Sequence, residues 1–132
     1  MNKHTLSQDV ALLFLRLVLG GSMLFAHGWR KLLKLTSAEP IDFADPFGIG
    51  AELSLYLVIF AEVVCSLLLV IGLFTRLATV PLIITMLVVI LAVQWDAPFS
   101  KSELPLLFLA GYCMLAAFGG GRYALDARRH RI

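Results

Sequence analysis

Four long apolar stretches dominate this sequence and restrict what the chain can fold into. They cover residues 10–29, 53–74, 77–95 and 104–118. A helix of about 20 mostly apolar residues crosses the roughly 30 Å hydrocarbon core of a membrane. Of the 132 residues only 15% are charged, whereas soluble domains are about 25% charged. The sequence therefore predicts a single all-α, integral membrane domain over residues 1–132, with no room for a separate catalytic domain.

The short connections between the stretches favour antiparallel neighbours, which predicts an up-down-up-down four-helix bundle with both termini on the same side. One side of this bundle would carry six basic residues, Lys3, Arg76, Arg122, Arg128, Arg129 and Arg131. The other side would carry four, Arg30, Lys31, Lys34 and Lys101. Cytoplasmic loops are enriched in Lys and Arg, so we predict that both termini are cytoplasmic. The formal charge of +2 gives no indication of a nucleic-acid partner, and the predicted partner is the lipid bilayer.

The first stretch has two interpretations. Lys3 precedes an apolar run, as in a signal peptide. However, the run contains Arg16, ends in His27 and Trp29, and has no small-residue cleavage site. Three further spans follow, which favours a retained transmembrane helix whose first turn is capped by Ser7 or Asp9.

Glu62 is the most informative polar residue, because it lies near the middle of the second span with apolar residues on both sides. A carboxylate at that depth must be paired or neutral. Arg16 in the first span is the expected partner. Three interpretations stand: an Arg16–Glu62 pair that fixes helix packing, a carboxylate that exchanges a proton beside a bound redox ligand, and a tolerated neutral glutamic acid.

Further polar residues suggest a pocket between the helices. Arg16, Gly20 and His27 share one face of the first helix, and Lys31 extends this stripe if the helix continues. The simplest explanation of Arg16 alone is a side chain that reaches the headgroups. Near the membrane surface opposite the two termini, we expect His27 to lie with two residues of later spans, Gln94 and Glu103. These residues would suit a lipophilic ligand with a polar head, whereas the simpler explanations are an interfacial Gln94 and a Glu103 that complements a helix dipole.

The two cysteines, Cys65 and Cys113, lie within apolar stretches without CxxC or Cys/His spacing. We interpret them as reduced, apolar packing residues. The sequence predicts no metal site and shows no haem, flavin or iron–sulfur motif.

Three motifs in this order resemble the DoxX family of small four-helix bacterial membrane proteins: RLVLGGSMLFAHGWRKL, Glu62 followed by GLFTR, and GGGRYALD. The resemblance covers nearly the whole chain and implies location in the bacterial inner membrane. Gly120 stands where relatives often have proline. The resemblance matches Arg16, His27, Lys31, Glu62 and Glu103 to family positions, and it matches the residues to which we assign structural roles, Gly72, Arg76, Gly119, Gly121 and Asp126. Gly20 is given a structural role on another ground, because small residues let helix backbones approach closely.

Some relatives are subunits of a thiosulfate:quinone oxidoreductase. The resemblance thus implies a membrane subunit that binds quinone or couples a partner redox protein to the membrane, with Glu62 and His27 as candidate proton-transferring residues. Arg16, Lys31, Gln94 and Glu103 complete the expected ligand site. The alternatives are a non-catalytic scaffold or assembly factor and, less suited to four spans, a dimeric transporter. A protein partner or a homo-oligomer is expected in each case.

Overall fold

A computed structural model describes residues 4–129. Four long helices and one short helix make up the described chain: α1 (Leu6–Thr36), α2 (Ala51–Ile71), α3 (Thr75–Val93), α4 (Phe99–Phe118) and α5 (Leu125–Arg129). Each of α1–α4 is long and apolar enough to cross a membrane, which confirms the predicted all-α membrane protein. Lys3 and Arg131, two of the charges that entered the orientation prediction, lie outside the described residues.

Helix α1 begins earlier and ends later than the predicted first span. Its cap is Thr5, and the prediction of Ser7 or Asp9 was wrong: the Thr5 hydroxyl accepts a hydrogen bond from the Gln8 amide, and the Gln8 side chain accepts one from the Thr5 amide. This reciprocal pair is a capping box. At the other end α1 continues through its basic residues to Thr36, because Lys and Arg favour a helix as strongly as most apolar residues do.

The turn between α2 and α3 comprises residues 72–74, and not Thr75 and Arg76 as the sequence suggested. Gly72 has a φ of 76°, in the left-handed region that favours glycine. The amides of Leu73 and Gly72 donate back to the carbonyls of Leu68 and Leu69, at 3.0 and 3.2 Å. These two bonds form a Schellman motif, which ends α2 at Ile71.

Each spanning helix packs against two others. Helix α1 contacts α2 and α4, and α3 also contacts α2 and α4. Two glycines allow α1 to approach α2 closely: a Cβ at Gly20 would lie 2.9 Å from the Ser66 carbonyl oxygen, and one at Gly28 would lie 2.8 Å from that of Glu62. Small residues at helix crossings are the usual means of close packing in membranes. The core is formed mainly by apolar side chains, among them Met23, Leu69, Leu82, Phe108, Tyr112 and Leu115.

The outer surface of the bundle is also apolar. Phe14 and Leu77, on two different helices, expose 69% and 68% of their area. A surface of this kind is suited to lipid rather than water, and the chain is therefore in contact with the bilayer. We name the two ends of the bundle by their connections. The turn end contains the start of α1, residues 72–74 and residues 119–126; the loop end contains residues 37–50 and 94–98.

Candidate functional site

Glu62 forms a buried ion pair, but its partner is Lys31. Glu62 is 3% exposed, and its Oε2 accepts a hydrogen bond from the Lys31 Nζ at 2.6 Å. The continuation of α1 beyond the predicted span brings Lys31 to this position, because its long side chain reaches inward from the last turns of the helix. A single unpaired charge would be costly at this depth in the membrane, and the pairing of Lys31 with Glu62 removes much of this cost.

The expected Arg16–Glu62 pair was wrong. The Arg16 guanidinium is buried at the turn end, where its Nη1 donates to the carbonyls of Leu69 and Val70 at 3.1 and 2.9 Å. Its Nε donates to the Gly120 carbonyl at 3.0 Å. The first two carbonyls belong to the last turn of α2, where helix geometry leaves carbonyls without their regular donors; that of Leu69 also accepts from the Gly72 amide at 3.2 Å. Arg16 therefore closes the end of α2 and fixes the glycine turn after α4.

A cavity of about 550 Å³ lies between α2 and α3 near the loop end. This volume is in the range typical of small-molecule sites, roughly 300–1,000 Å³. Most of its wall is apolar, and Leu57, Phe60, Ile84 and Val88 are representative residues. The Lys31–Glu62 pair and Gln94 also line it. The Oε1 atom of Gln94 is buried and has no hydrogen-bond partner in the described chain. The cavity thus combines apolar walls with a small polar group that includes an acceptor available to a ligand.

The loop between α1 and α2 forms one wall of the cavity through Phe43, Pro46 and Phe47. Asp45 holds this loop against the start of α2. Its carboxylate accepts hydrogen bonds from the amides of Ile49 and Gly50, both at 2.9 Å, and from the hydroxyl of Ser54 at 3.1 Å. The bonds from the Gly50 and Ile49 amides and the Ser54 hydroxyl keep the pKa of Asp45 below its ordinary value, because they stabilise the ionised carboxylate.

Three π-helical segments of the described chain surround this region: Met23–Gly28, Phe60–Cys65 and Val89–Val93. The second carries Glu62, and the third lines the cavity and leads directly to Gln94. The first brings Gly28 against the Glu62 carbonyl. A π-helical turn is often found at a functional site, since it redirects side chains that a regular helix would place elsewhere. No pattern in the apolar sequence indicated these turns.

The structure brings together only part of the predicted ligand set. Lys31, Glu62 and Gln94 share the cavity, whereas Arg16, His27 and Glu103 do not line it. The His27 ring packs edge-on against Phe108, with ring centroids 5.8 Å apart. Glu103 is exposed on α4, which begins at Phe99 and so places this residue beyond the first turn. Sequence reasoning missed Asp45 and the apolar cavity wall. The run of Asp45, Pro46, Gly48 and Gly50 is typical of a turn, but it does not indicate what the turn covers.

The residues assigned structural roles gather mostly at the turn end. The Asp126 carboxylate accepts hydrogen bonds from the amides of Phe74 and Thr75, both at 2.8 Å. Buried Asp9 accepts one from the Arg122 amide at 2.9 Å. These bonds join the start of α1, the α2–α3 turn and the segment after α4. Gly119 and Gly121 have φ values of 77° and 79°, which allow the chain to turn there.

Comparison with known proteins gives one positive result. The family model DoxX matches residues 11–95. The matched region includes Lys31, Glu62 and Gln94 and ends before α4. No curated protein and no solved structure matches the chain.

Proposed function

The chain belongs to the DoxX family of membrane proteins, and from this premise we propose that it is the membrane subunit of a quinone-linked oxidoreductase system. In this proposal the cavity between α2 and α3 binds a quinone-like lipophilic ligand. The observation that carries the proposal is the polar group of Lys31, Glu62 and Gln94 within an otherwise apolar cavity of about 550 Å³.

The residues of the cavity fit such a ligand in two respects. The apolar wall suits a hydrocarbon tail and the edge of a ring, and the exposed apolar surface of α2 and α3 gives access from the lipid. At the polar group, the Lys31 Nζ is a donor for a carbonyl oxygen, and the unpartnered Oε1 of Gln94 is an acceptor for a hydroxyl. The site therefore has one partner for each oxidation state of a quinone head.

A bound quinone supplies two-electron redox chemistry that is coupled to proton transfer. The protein's contribution is to hold protons near the ligand. The Lys31 ammonium is a proton donor and the Glu62 carboxylate is a proton acceptor. They lie 2.6 Å apart, and both border the cavity. A positioned pair of this kind can deliver a proton to a bound ligand or receive one from it. Because the sequence contains no motif for haem, flavin or an iron–sulfur cluster, the proposal assigns electron donation to a partner protein.

The test is direct binding of a short-tailed benzoquinone to the purified full-length protein in detergent, by isothermal titration calorimetry. Saturable binding by the wild type and at least tenfold weaker binding by Glu62→Gln is the expected result. Glu103→Gln is the matched control, because it makes the same change at an exposed carboxylate outside the cavity. Folding of each variant is checked by helical circular dichroism and thermal unfolding. Absence of binding by a folded wild type, or equal weakening by both variants, would refute the proposal.

A scaffold that holds a partner enzyme at the bilayer is the second candidate. It is favoured by the loop end, where Phe47 and Trp95 expose 67% and 76% of their area. This function predicts that Trp95→Ser, at an exposed residue that does not line the cavity, abolishes capture of the partner while leaving quinone binding unchanged. In that case Glu62 variants lose assembly only to the extent that they lose folding. Affinity purification from membranes with Trp95→Ser and Glu62→Gln side by side separates the two functions.

A further inference from the structure

A groove at the turn end, far along α2 and α3 from the cavity described above, has the features of an anion site. Its volume is about 470 Å³, and it is lined by Phe74, Thr75, Arg76, Leu77, Gly119, Gly120 and Asp126. It therefore lies between the start of α3 and the glycine turn that follows α4. None of these residues borders the cavity at the loop end.

Thr75 is an unsatisfied polar residue in this groove. The residue is 1% exposed, and its Oγ1 has no hydrogen-bond partner within residues 4–129. A buried hydroxyl without a partner costs about 1–3 kcal/mol, so natural structures rarely keep one unless something else occupies the place. A Cβ at residue 120 would lie 2.7 Å from this oxygen. Any side chain at position 120 would clash with this hydroxyl, so the glycine allows the segment after α4 to pass close to Thr75.

The start of α3 adds amide donors to the groove. Helix geometry leaves the first amides of a helix without an internal acceptor, and their aligned dipoles favour negative charge. Asp126 accepts from the amides of Phe74 and Thr75. The next two amides, those of Arg76 and Leu77, belong to residues that line the groove. A phosphate oxygen is a natural acceptor at such a position.

The charges around the groove are mainly positive. The Arg76 guanidinium lies against Gly119, with its Nε 3.3 Å from the position of a Cβ there. Arg129 lies over the Phe74 ring, with its Cζ 4.6 Å from the centroid. Arg16 stands behind the floor and donates to the Gly120 carbonyl at 3.0 Å. The carboxylate of Asp126 is the opposing charge, and its two oxygens already accept amide hydrogens.

We propose that this groove binds a phosphate group, held by the Arg76 guanidinium, the Thr75 hydroxyl and the first free amides of α3. The phosphate would come from an anionic lipid headgroup or from free phosphate. Position in the bundle is consistent with the lipid source: α2 ends, α3 begins and α4 ends at this level, so the groove lies at the membrane surface. Leu77, 68% exposed at the edge of the groove, is available to an acyl chain.

The experiment measures lipid retention by native mass spectrometry on the full-length protein in detergent. Phosphatidylglycerol and phosphatidylcholine of identical chains are the two lipid probes, and inorganic phosphate is added as a competitor. We expect the wild type to prefer phosphatidylglycerol. Loss of one charge-assisted hydrogen bond in Arg76→Gln should weaken its binding by about tenfold. Thr75→Val, which keeps the shape and removes the hydroxyl, should weaken binding by a smaller factor.

Arg122→Gln is the control, because Arg122 is an exposed arginine of the same end that does not line the groove. Its affinity for phosphatidylglycerol should change by less than about twofold. Displacement of the lipid by millimolar inorganic phosphate would identify free phosphate as a ligand of the same site, and retention would identify the lipid headgroup. Equal weakening by Arg76→Gln and Arg122→Gln would overturn the proposal, since attraction would then be diffuse. The proposal would also be overturned by a folded wild type that shows no preference for phosphatidylglycerol and does not bind inorganic phosphate.

Discussion

Arg16→Met is the substitution whose effect on stability follows most directly from the structure. The Arg16 side chain is buried and donates three hydrogen bonds, to the carbonyls of Leu69, Val70 and Gly120. Methionine fills a similar volume without a donor. All three carbonyls then lose the guanidinium, and only that of Leu69 keeps another donor, the Gly72 amide. The end of α2 and the glycine turn after α4 lose the group that joins them to α1.

The expected loss of stability depends on whether hydrogen bonds in membrane proteins or in soluble proteins are taken as the reference. Hydrogen bonds between membrane helices average about 0.6 kcal/mol, and three such bonds give about 2 kcal/mol. Bonds to a charged donor in soluble proteins contribute about 1.5 kcal/mol or more each, which gives about 4.5 kcal/mol. Methionine also removes the cost of a buried cation, which offsets part of the loss. We therefore expect a decrease of about 2–4 kcal/mol in the free energy of unfolding.

The assay is reversible unfolding in mixed micelles, where the sodium dodecyl sulfate fraction is raised and helical circular dichroism is followed. Arg16→Lys is the companion variant: it keeps the charge but cannot reproduce a fork that donates from Nε and Nη1 at once. We expect it to recover less than half of the loss. A decrease below 1 kcal/mol for Arg16→Met would refute the reasoning, because the three carbonyls would then have to be satisfied without the guanidinium.

Two further predictions concern the loop end. Lys31→Met should destabilise the protein by about 3 kcal/mol, because it leaves the buried Glu62 carboxylate unpaired. Adding Glu62→Gln should restore part of this loss. A double variant that loses as much stability as the two single variants together would contradict a direct pair. Hydrogen bonds from Gly50 and Ile49 lower the pKa of Asp45, so its contribution to stability is present above the unfolded pKa and is lost as the pH falls below about 4. The difference in melting temperature between wild type and Asp45→Asn should therefore shrink from pH 6 to pH 3, and a constant difference would show that ionisation of Asp45 has no part in holding the loop.

The fold was accessible from the sequence because membrane insertion depends on a simple property. An apolar run must be long enough to cross the bilayer, and within lipid its backbone must form a helix to satisfy its own polar groups. Four such runs therefore predicted four spanning helices. The helix ends were harder to predict. Thr5 caps the start of α1 with its side chain, and Gly72 ends α2 in a left-handed conformation. Neither effect can be predicted from the apolar content of the sequence.

The candidate site was accessible only in part. The depth of Glu62 in an apolar run required a partner or a proton, and the structure supplies a partner. The sequence analysis named Arg16 as this partner, whereas the structure shows Lys31. Arg16 and Lys31 lie on one predicted face of α1, so periodicity did not reveal which of them reaches Glu62. Position along the helix decided, because Arg16 meets the carbonyls at the end of α2 and Lys31 meets the carboxylate.

The sequence by itself determined that the chain is a four-span membrane protein with a buried carboxylate, because hydrophobicity and charge act on each residue wherever it lies in the chain. Tertiary structure alone decided which polar groups meet, and it produced the cavity beside Glu62 and the groove beside Thr75. Both spaces depend on the separation of two helices and on the π-helical or glycine turns beside them. Such distances arise from packing among all four helices, and no local stretch of sequence contains them.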